Sequence, residues 1–260
     1  DVVVGMGGYI TVPGGLAAVL AGVPIVLHEQ NSVAGMANKL LARFAKRVFS
    51  AFPNAIAGAE WVGNPLRVEF TQQAEPAARF AGRTGPLRLL VVGGSLGAKA
   101  LNELVPQALA LIPEATRPSV IHQSGAKQID ALQANYAAAG VQATLTPFID
   151  DAAKAYADAD VIVCRAGAST VTELAAVGAA AVFVPFPAAV DDHQTANARF
   201  LVDTGAGWLV QQSVLTAPKL AEMLENMQRS TLVENAQKAK TMQKLEAAQR
   251  VADACEEVAR

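Results

Sequence analysis

One segment indicates the class of fold: Val161-Ile162-Val163-Cys164-Arg165-Ala166-Gly167-Ala168-Ser169-Thr170-Val171-Thr172-Glu173. Its first four residues form an apolar run, which is typical of a buried parallel strand. A turn of small residues follows, and a helix is predicted from Thr170. The first N–H groups of such a helix have no partner within it, and the helix dipole adds partial positive charge. The segment therefore predicts an anion site that fits a nucleotide diphosphate, with Glu173 placed to bind the ribose hydroxyls.

Short β-branched runs alternate with helical patterns along most of the chain, which is the signature of βαβ units and parallel sheets. Strands are predicted at residues 1–4, 25–27, 47–49, 87–92, 119–122, 143–145, 161–164, 180–184 and 208–210. Helices are predicted at 15–21, 36–44, 98–111, 128–139, 170–177, 194–204 and 219–228, with one or two more within 231–260 and a connector at 71–85. This order predicts a complete doubly wound α/β domain, preceded by part of another.

Composition limits the classes of function. The formal net charge of the 260-residue chain is −2, which argues against electrostatic binding to nucleic acid. Cys164 and Cys255 have no metal-ligand spacing, and we expect free thiols in a reducing, cytoplasmic compartment. Glycines and prolines interrupt the uncharged stretches 2–27 and 174–190, so we expect no transmembrane helix. Because the chain begins in mid-pattern at Asp1, we expect that an N-terminal portion of the first domain is missing.

A second glycine-containing turn, Gly93-Gly94-Ser95-Leu96-Gly97-Ala98, follows the predicted strand 87–92. Ser95 in such a turn can hydrogen-bond a phosphate oxygen, although a close strand–helix turn without a ligand is an open alternative. A dinucleotide fingerprint is not favoured, because the glycine spacing differs. In addition, the next strand ends in His122-Gln123 rather than in an acidic residue.

Polar residues follow two other predicted strands, at the sheet edge where ligands bind in parallel sheets. His28-Glu29-Gln30-Asn31 form either a capped loop or a functional group of side chains. In Asp191-Asp192-His193-Gln194, Asp192 is expected to be a helix N-cap, and Gln194 shares a helix face with Asn197 from which sugar hydroxyls can be bound. Asp158-Ala159-Asp160 instead precedes a strand, at the amino end of the sheet, so we exclude a metal-binding D-x-D motif and expect no metal.

One helical region carries four cations and no anion, interleaved with apolar residues: Lys39, Leu40, Leu41, Arg43, Phe44, Lys46 and Arg47. Two interpretations stay open. The region is either a solvated helix face or a surface that contacts an anionic membrane.

Seven motifs, taken together and in order, resemble the MurG family of bacterial glycosyltransferases. They are Gly5-Met6-Gly7-Gly8-Tyr9, His28-Glu29-Gln30-Asn31, Gly63-Asn64-Pro65-Leu66-Arg67, Gly93-Gly94-Ser95-Leu96-Gly97-Ala98, Phe148-Ile149-Asp150-Asp151, Cys164-Arg165-Ala166-Gly167-Ala168 and Asp192-His193-Gln194. The resemblance covers essentially the whole chain. It implies a GT-B type α/β fold of two Rossmann-like, doubly wound parallel-sheet domains, the first one truncated. These would be residues 1–67 and a UDP-GlcNAc-binding domain at 68–242, with a C-terminal helix at 243–260 that returns to the first domain.

The resemblance implies transfer of N-acetylglucosamine from UDP-GlcNAc to the 4-hydroxyl of the muramoyl sugar of lipid I, with inversion, to give lipid II in peptidoglycan synthesis. The implied UDP-GlcNAc contacts are Ile149 (uracil, through its backbone), Glu173 (ribose), Arg67, Ser95, Ala168, Ser169, Thr170, Val171 and Thr172 (diphosphate), and Gln194 and Asn31 (sugar), with Asn197 as an addition. His28 and Glu29 are the candidate bases. The enzyme would use no cofactor and would lie on the cytoplasmic face of the bacterial inner membrane as a peripheral protein.

The family's N-terminal loop, G-G-T-G-G-H, is associated with the diphosphate of the acceptor and does not occur in this chain. We therefore expect this chain to bind UDP without transferring the sugar. Two alternatives stay open: a UDP-sugar-binding fragment without transferase activity, and a UDP-GlcNAc 2-epimerase of the same fold.

Overall fold

The computed structural model describes residues 1–189 and 192–259, which contain two parallel sheets. The strands of the first are β1 (Val3–Gly5), β2 (Ile25–Glu29), β3 (Arg47–Ser50) and β4 (Glu60–Trp61), paired in that order. Helices α1 (Thr11–Leu20) and α2 (Met36–Leu41) follow the first two strands.

The second sheet consists of β5 (Arg88–Val92), β6 (Ser119–Gln123), β7 (Thr144–Thr146), β8 (Val161–Cys164), β9 (Ala181–Phe183) and β10 (Gly207–Leu209). Their order across the sheet is β10-β9-β8-β5-β6-β7, and every pair is parallel. The strand order reverses between β5 and β8. In open sheets of this kind, ligands bind outside the carboxyl ends of the strands at that reversal.

Helices connect these strands and complete the chain. They are α3 (Val68–Thr71), α4 (Pro76–Phe80), α5 (Lys99–Leu111), α6 (Ile129–Ala139), α7 (Ala152–Asp158), α8 (Ala168–Val177), α9 (His193–Val202), α10 (Ala217–Glu225), α11 (Arg229–Thr241) and α12 (Ala247–Val258). The α/β class and the alternation of strands with helices agree with the sequence prediction.

The central strand β8 shows why the second sheet is covered on both faces. Val161 and Val163 belong to one apolar cluster, with residues of α5, α6 and α10, while Ile162 and Cys164 belong to another, with residues of α7, α8 and α9. Successive side chains of a strand point to opposite faces. A run of four apolar residues therefore has two layers of helices to pack against, as expected for a parallel sheet.

The last helix, α12, packs on the first sheet although it follows the second sheet in sequence. Ala247 and Ala254 share an apolar cluster with Val26 of β2 and Phe49 of β3. This packing supports the division of the chain into residues 1–67, 68–242 and 243–260, which stays a prediction.

The segment predicted to be a connector contains the helix α4, which is fixed by long-range contacts. The guanidinium group of Arg79 donates to the carbonyl oxygens of Ala74 (2.9 Å), Ala157 (2.8 Å) and Val177 (2.9 Å). The side chain of Phe80 is buried in the core of the second sheet. Because Ala157 and Val177 lie 78 and 98 residues away in sequence, local patterning did not predict the helix.

Asp160 lies immediately before β8, at the amino end of the sheet, and its carboxylate is enclosed by cations. It accepts hydrogen bonds from Arg83 Nη1 (2.6 Å), Arg229 Nη2 (2.9 Å) and the N–H of Arg88 (3.0 Å). Burial alone would raise the pKa of Asp160, but the bonds from Arg229 and Arg83 outweigh it and hold this pKa below its usual value. This ion pair fixes α11 and the segment after α4 to the sheet, and its position agrees with the exclusion of a D-x-D site.

Candidate active site

A cavity of about 740 Å³ opens at the carboxyl ends of β5 and β8, where the strand order reverses. The glycine turn at 93–97 lines one side, and Gly167 and Thr170 at the start of α8 line another. Arg165, Phe186 and Gln194 also line it, together with Gln128, Gln212 and residues at the start of α5. The two segments that the sequence predicted as phosphate sites therefore face one common space.

The start of α8 has the geometry of an anion site. Gly167 is the N-cap residue, in an extended conformation (φ −62°, ψ 146°), and it has no side chain that could cap the helix. The N–H of Val171 donates to the carbonyl oxygen of Gly167 (3.0 Å), so the N–H groups of Ala168, Ser169 and Thr170 precede the helical bonding pattern. Such groups bind anions, and the helix dipole strengthens the interaction.

Two of the predicted diphosphate residues, Val171 and Thr172, do not face the cavity. The side chain of Val171 is buried in the core, and its N–H is bonded within the helix. The hydroxyl of Thr172 donates to the carbonyl oxygen of Ala168 (3.1 Å). The prediction was wrong for both because the helix begins at Ala168, two residues earlier than expected, which turns these side chains towards the protein interior.

Ser95 is exposed and lines the cavity, and its contact with a phosphate oxygen stays a prediction. The N–H groups of Gly93 and Gly94 are directed away from the cavity, because both donate to Oε1 of Gln123 (3.1 and 3.2 Å). The prediction mentioned Gln123 only as a residue that is not acidic. Its position at the carboxyl end of the strand next to β5 was the feature of the sequence from which a contact with the glycine turn could have been predicted.

Glu173 lies beyond Thr170 on α8, beside Tyr156 and Arg67. Tyr156 Oη donates to Glu173 Oε2 across 3.5 Å. Burial raises the pKa of Glu173 to about 7, although Arg67 and the bond from Tyr156 favour its charged form. Glu173 therefore changes its charge near neutral pH, a property typical of functional carboxylates.

Neither Arg67 nor Ile149 lines the large cavity, and Arg67 lies close enough to Glu173 to affect its pKa. The guanidinium carbon of Arg67 lies 5.0 Å from the centre of the Phe70 ring, and the residue is exposed. Ile149 is half-buried and packs on the apolar cluster that contains Tyr156. A ligand that reaches from Ser95 to these residues would have to extend along the start of α8.

Gln194 and Asn197, two polar residues of α9, form hydrogen bonds with backbone groups of the second unit and with the loop after β2. Gln194 Oε1 accepts from the N–H groups of Phe186 (2.9 Å) and Ala166 (3.3 Å). Asn197 is fully buried, and its Oδ1 accepts from the N–H (2.9 Å) and hydroxyl (2.8 Å) of Ser32. Its Nδ2 donates to Asn31 Oδ1 (3.3 Å) and to the carbonyl oxygen of Ala166 (3.2 Å). The amide of Asn197 is thus fully used, which corrects its interpretation as a sugar contact.

Asp192 is the N-cap residue of α9 by position, as predicted, but its side chain does not bond a helical N–H group. Its φ of 49° is left-handed, and Oδ1 accepts from the hydroxyl of Thr195 (2.7 Å). Asp191, which was part of the same predicted motif, lies outside the described residues.

His28 is fully buried at the end of β2, with both ring nitrogens paired. Its Nε2 lies 2.8 Å from the carbonyl oxygen of Gly63, and its Nδ1 lies 3.1 Å from Gln30 Nε2. Burial lowers the pKa of His28. The interpretation of His28 as a base is therefore corrected: the ring joins two loops and has no nitrogen available for a substrate.

The carboxylate of Glu29 is almost fully buried and shapes the loop that follows it. Oε1 accepts from the N–H of Asn31 (2.9 Å), and Oε2 accepts from the N–H of Gly35 (3.1 Å) and from Asn38 Nδ2 (2.9 Å). Glu29 also lines a smaller cavity of about 180 Å³, together with Gly7, Gly8 and Asn31 of the same unit and His193 of α9. This cavity lies between the two sheets.

Within residues 1–189 and 192–259, no group of three or more His, Cys, Asp or Glu side chains can hold a metal ion. Within the same residues, no helix is both long enough and apolar enough to cross a bilayer.

Comparison with known proteins gives a consistent result. The glycosyltransferase family 28 C-terminal domain matches residues 88–256, and the N-terminal domain of that family matches residues 1–50. The UDP-N-acetylglucosamine–N-acetylmuramyl-(pentapeptide) pyrophosphoryl-undecaprenol N-acetylglucosamine transferase of Paracidovorax citrulli is 72% identical over 258 residues, which is 99% of this chain and 73% of the relative.

Solved structures agree with that result. The crystal structure of Acinetobacter baumannii MurG has a TM-score of 0.89 at 47% identity, covering 99% of this chain and 73% of that chain. A structure described as a UDP-N-acetylglucosamine 2-epimerase from Listeria monocytogenes has a TM-score of 0.66 at 15% identity, covering 98% of this chain and 73% of that chain, and shows a shared fold only. With high identity along nearly its whole length and two parallel-sheet units of GT-B type, the chain belongs to the MurG family of glycosyltransferases.

Proposed function

We propose that this protein transfers N-acetylglucosamine from UDP-GlcNAc to the 4-hydroxyl of the muramoyl sugar of lipid I, with inversion. The Paracidovorax citrulli relative is named for such a transfer. The observation that carries the proposal is the cavity between the Ser95 turn and the start of α8, because it presents backbone N–H groups to an anion at the reversal of strand order.

In this reaction, the bond between C1 of the sugar and the phosphate oxygen breaks, and UDP leaves with the bonding electrons. The N–H groups of Ala168, Ser169 and Thr170 and the hydroxyl of Ser95 would bind the diphosphate. Fixed dipoles of this kind stabilise charge as it develops, without reorganisation.

The nucleoside would extend along α8 towards Glu173. The ionised carboxylate would accept hydrogen bonds from the ribose hydroxyls, with Arg67 providing positive charge nearby. The backbone of Ile149, in the loop after β7, would bind uracil.

The sugar would lie between the two sheets. Because the carbonyl of Gln194 is occupied by two backbone N–H groups, its NH₂ group is the part that would contact a sugar oxygen. Asn31, whose Oδ1 is bonded to Asn197, would contribute its NH₂ group in the same way.

The acceptor hydroxyl must lose a proton as the new bond forms at C1. Glu29 remains the candidate base in this chain, since it lines the smaller cavity between the sheets. Three N–H bonds already engage its carboxylate, which leaves room for about one more.

We further propose that the first unit, residues 1–67, docks on the anionic cytoplasmic membrane surface, where a polyprenyl-linked acceptor is found. Helices α1 and α2 contact each other and expose large apolar side chains next to exposed cations; this surface comprises Tyr9, Ile10, Leu20, Met36, Lys39, Arg43, Phe44 and Lys46. Apolar groups combined with cations favour binding at a bilayer surface. Arg47, the fourth predicted cation, pairs instead with Glu257 of α12 at 2.7 Å.

Calorimetry with UDP-GlcNAc and an assay of labelled sugar transfer to lipid I test the proposal together. We expect saturable binding of UDP-GlcNAc, and a lipid-linked disaccharide as the product of any turnover. Such turnover would overturn the expectation, drawn from the sequence, of binding without transfer. A folded protein that binds neither UDP nor UDP-GlcNAc would contradict the proposal. Formation of the 2-epimer without transfer would favour the epimerase alternative, and binding without any turnover would favour the fragment alternative.

The membrane proposal is tested by reversing two charges, Arg43→Glu together with Lys46→Glu. Binding to vesicles that contain anionic lipid should weaken, because attraction to the surface becomes repulsion. The matched control reverses two exposed lysines of the second unit, Lys219→Glu and Lys238→Glu, and should bind vesicles as the wild type does. Equal loss in both double variants would contradict a specific docking surface.

A further inference from the structure

Gln123, the last residue of β6, is almost fully buried and uses its whole amide group. Its Oε1 accepts from the N–H groups of Gly93 (3.1 Å) and Gly94 (3.2 Å). Its Nε2 donates to the carbonyl oxygens of Gly94 (3.0 Å) and Pro147 (3.1 Å). A primary amide has two N–H donors and two acceptor lone pairs, so these four bonds saturate it.

These bonds contribute to the shape of the glycine turn. Close packing confines the turn at Gly93 and Gly97, where a Cβ atom would collide with neighbouring backbone atoms. At Gly94, which has a φ of +82°, a Cβ atom would meet no heavy atom within 4 Å, so packing does not confine the turn there. Besides Gln123, two hydrogen bonds hold the turn: the N–H of Gly97 donates to the carbonyl oxygen of Gly94 (2.9 Å), and Gln128 Nε2 donates to the carbonyl oxygen of Leu96 (2.9 Å). Without Gln123, the residues that present Ser95 to the cavity would lose three of these bonds.

Pro147 connects the same amide to a second loop. It lies between β7 and Ile149, in the segment that would bind the base. One side chain thus fixes the glycine turn after β5 and the loop after β7 relative to each other. Both loops lie at the carboxyl edge of one sheet, on either side of the strand that ends in Gln123.

We propose that Gln123 is a positioning residue that sets the separation between the diphosphate turn and the base loop. The inference rests on the proposed function, since it assumes that a uridine diphosphate spans both loops. Preordered loops bind a ligand more tightly because they lose less freedom on binding. Gln123 would therefore raise the affinity for UDP and also the preference for uracil, although it touches neither group.

The test compares the wild type with Gln123→Leu and Gln123→Glu, using calorimetry with UDP and with CDP. These ligands share a diphosphate and differ in the base. We expect Gln123→Leu to raise the dissociation constant for UDP by about tenfold or more, and to reduce the preference for UDP over CDP. Gln123→Glu can still accept from both glycine N–H groups but places an oxygen against the carbonyl oxygens of Gly94 and Pro147. It should therefore lose the preference for UDP and weaken UDP binding less than Gln123→Leu does.

Matched controls are Gln133→Leu and Gln133→Glu, on the exposed face of α6, which should leave both ligands unaffected. A folded Gln123 variant with unchanged affinity and unchanged preference would overturn the inference. Tighter UDP binding by Gln123→Leu would also overturn it, because Gln123 would then merely block two N–H groups. A wild type that binds no UDP would instead refute the proposed function.

Hydrogen exchange tests the inference without a variant. In the unliganded wild type, the amides of Gly93 and Gly94 should already be protected, because Gln123 bonds them before any ligand arrives. Fast exchange at both positions would show that the turn is not preordered and would overturn the inference.

A thermal melt of each Gln123 variant separates a change in UDP affinity from loss of folding.

Discussion

The two ends of the six-stranded sheet differ in how far their charged and polar groups are paired within the protein. At the amino end, the carboxylate of Asp160 has two guanidinium partners and a backbone N–H partner. At the carboxyl end, the start of α8 presents N–H groups without helical partners, and Glu173 has a pKa of about 7. The first arrangement is saturated and serves folding. The second leaves bonding capacity unused within the protein, which is where a charged ligand can bind.

The largest effect that separates the two ends is expected for Asp160→Asn. Removing one member of a buried ion pair leaves Arg83 and Arg229 without their counter-charge, so the free energy of unfolding should fall by about 3–5 kcal/mol. Chemical denaturation measures this, while calorimetry should show unchanged UDP affinity in the folded protein. Asp158→Asn, in an exposed pair at the same end of the sheet, is the control and should have little effect. Weakened UDP binding in folded Asp160→Asn would contradict the conclusion that the amino end of the sheet serves folding alone.

Glu173→Ala should have the opposite effects to Asp160→Asn: it should weaken ligand binding and have little effect on the free energy of unfolding. Loss of hydrogen bonds to a charged group should weaken UDP-GlcNAc binding by roughly 1.5–3 kcal/mol. Folding stability should not fall in the same way, because burial already disfavours the charged form of this side chain. Glu234→Ala, on the exposed face of α11, controls for loss of a carboxylate. An unchanged dissociation constant for Glu173→Ala would remove the ribose assignment.

The pKa of Glu173 gives a pH dependence whose sign differs between folding and binding. A pKa raised from 4.5 to about 7 means that the folded state favours the protonated form, so this contribution to stability is lost as pH rises through that range. UDP-GlcNAc binding needs the ionised form and should strengthen by up to about tenfold between roughly pH 6 and pH 8. Titration calorimetry of the wild type and Glu173→Gln measures this. A similar increase in the Gln variant would assign the dependence to another group.

The smallest expected effect is that of Ser95→Ala. One neutral hydrogen bond to the diphosphate should be lost, which weakens UDP binding by about 0.5–1.5 kcal/mol. Ser119, at the amino end of the neighbouring strand β6, provides the matched substitution Ser119→Ala, which should leave UDP binding unchanged. If both serine variants bind UDP equally well, Ser95 does not contact the diphosphate.

The sequence predicted the strand–turn–helix unit around α8 because all of its determinants are local: an apolar run, small residues and a helical pattern. The start of α8 was misplaced by two residues, since Ala168 and Ser169 carry no apolar signal and the extended backbone of Gly167 decides the boundary. Helix α7 was missed because its alanines show little periodicity.

The hydrogen-bond partners of the polar residues could not be predicted from the residues next to them in sequence. His28 loses its candidate role through a bond to Gly63, which lies 35 residues away in sequence. The side-chain oxygen of Asn197 is occupied by Ser32, which is 165 residues away. The sequence placed both residues after strands, whereas distant chain segments decided which of their polar atoms are already bonded.

Helix α9 is attached to both sheets through neighbouring turns. Gln194 accepts from the N–H of Ala166, and Asn197 donates to the carbonyl oxygen of the same residue while it also binds Ser32 and Asn31. The two sheets cannot separate at this point unless the bonds of Asn197 to the first unit break. Because Ala198 and Leu201 hold α9 in the core of the second unit, such a separation would leave Gln194 on its backbone partners Ala166 and Phe186. It would instead expose the side-chain oxygen of Asn197, whose partners in the first unit are the N–H and hydroxyl groups of Ser32.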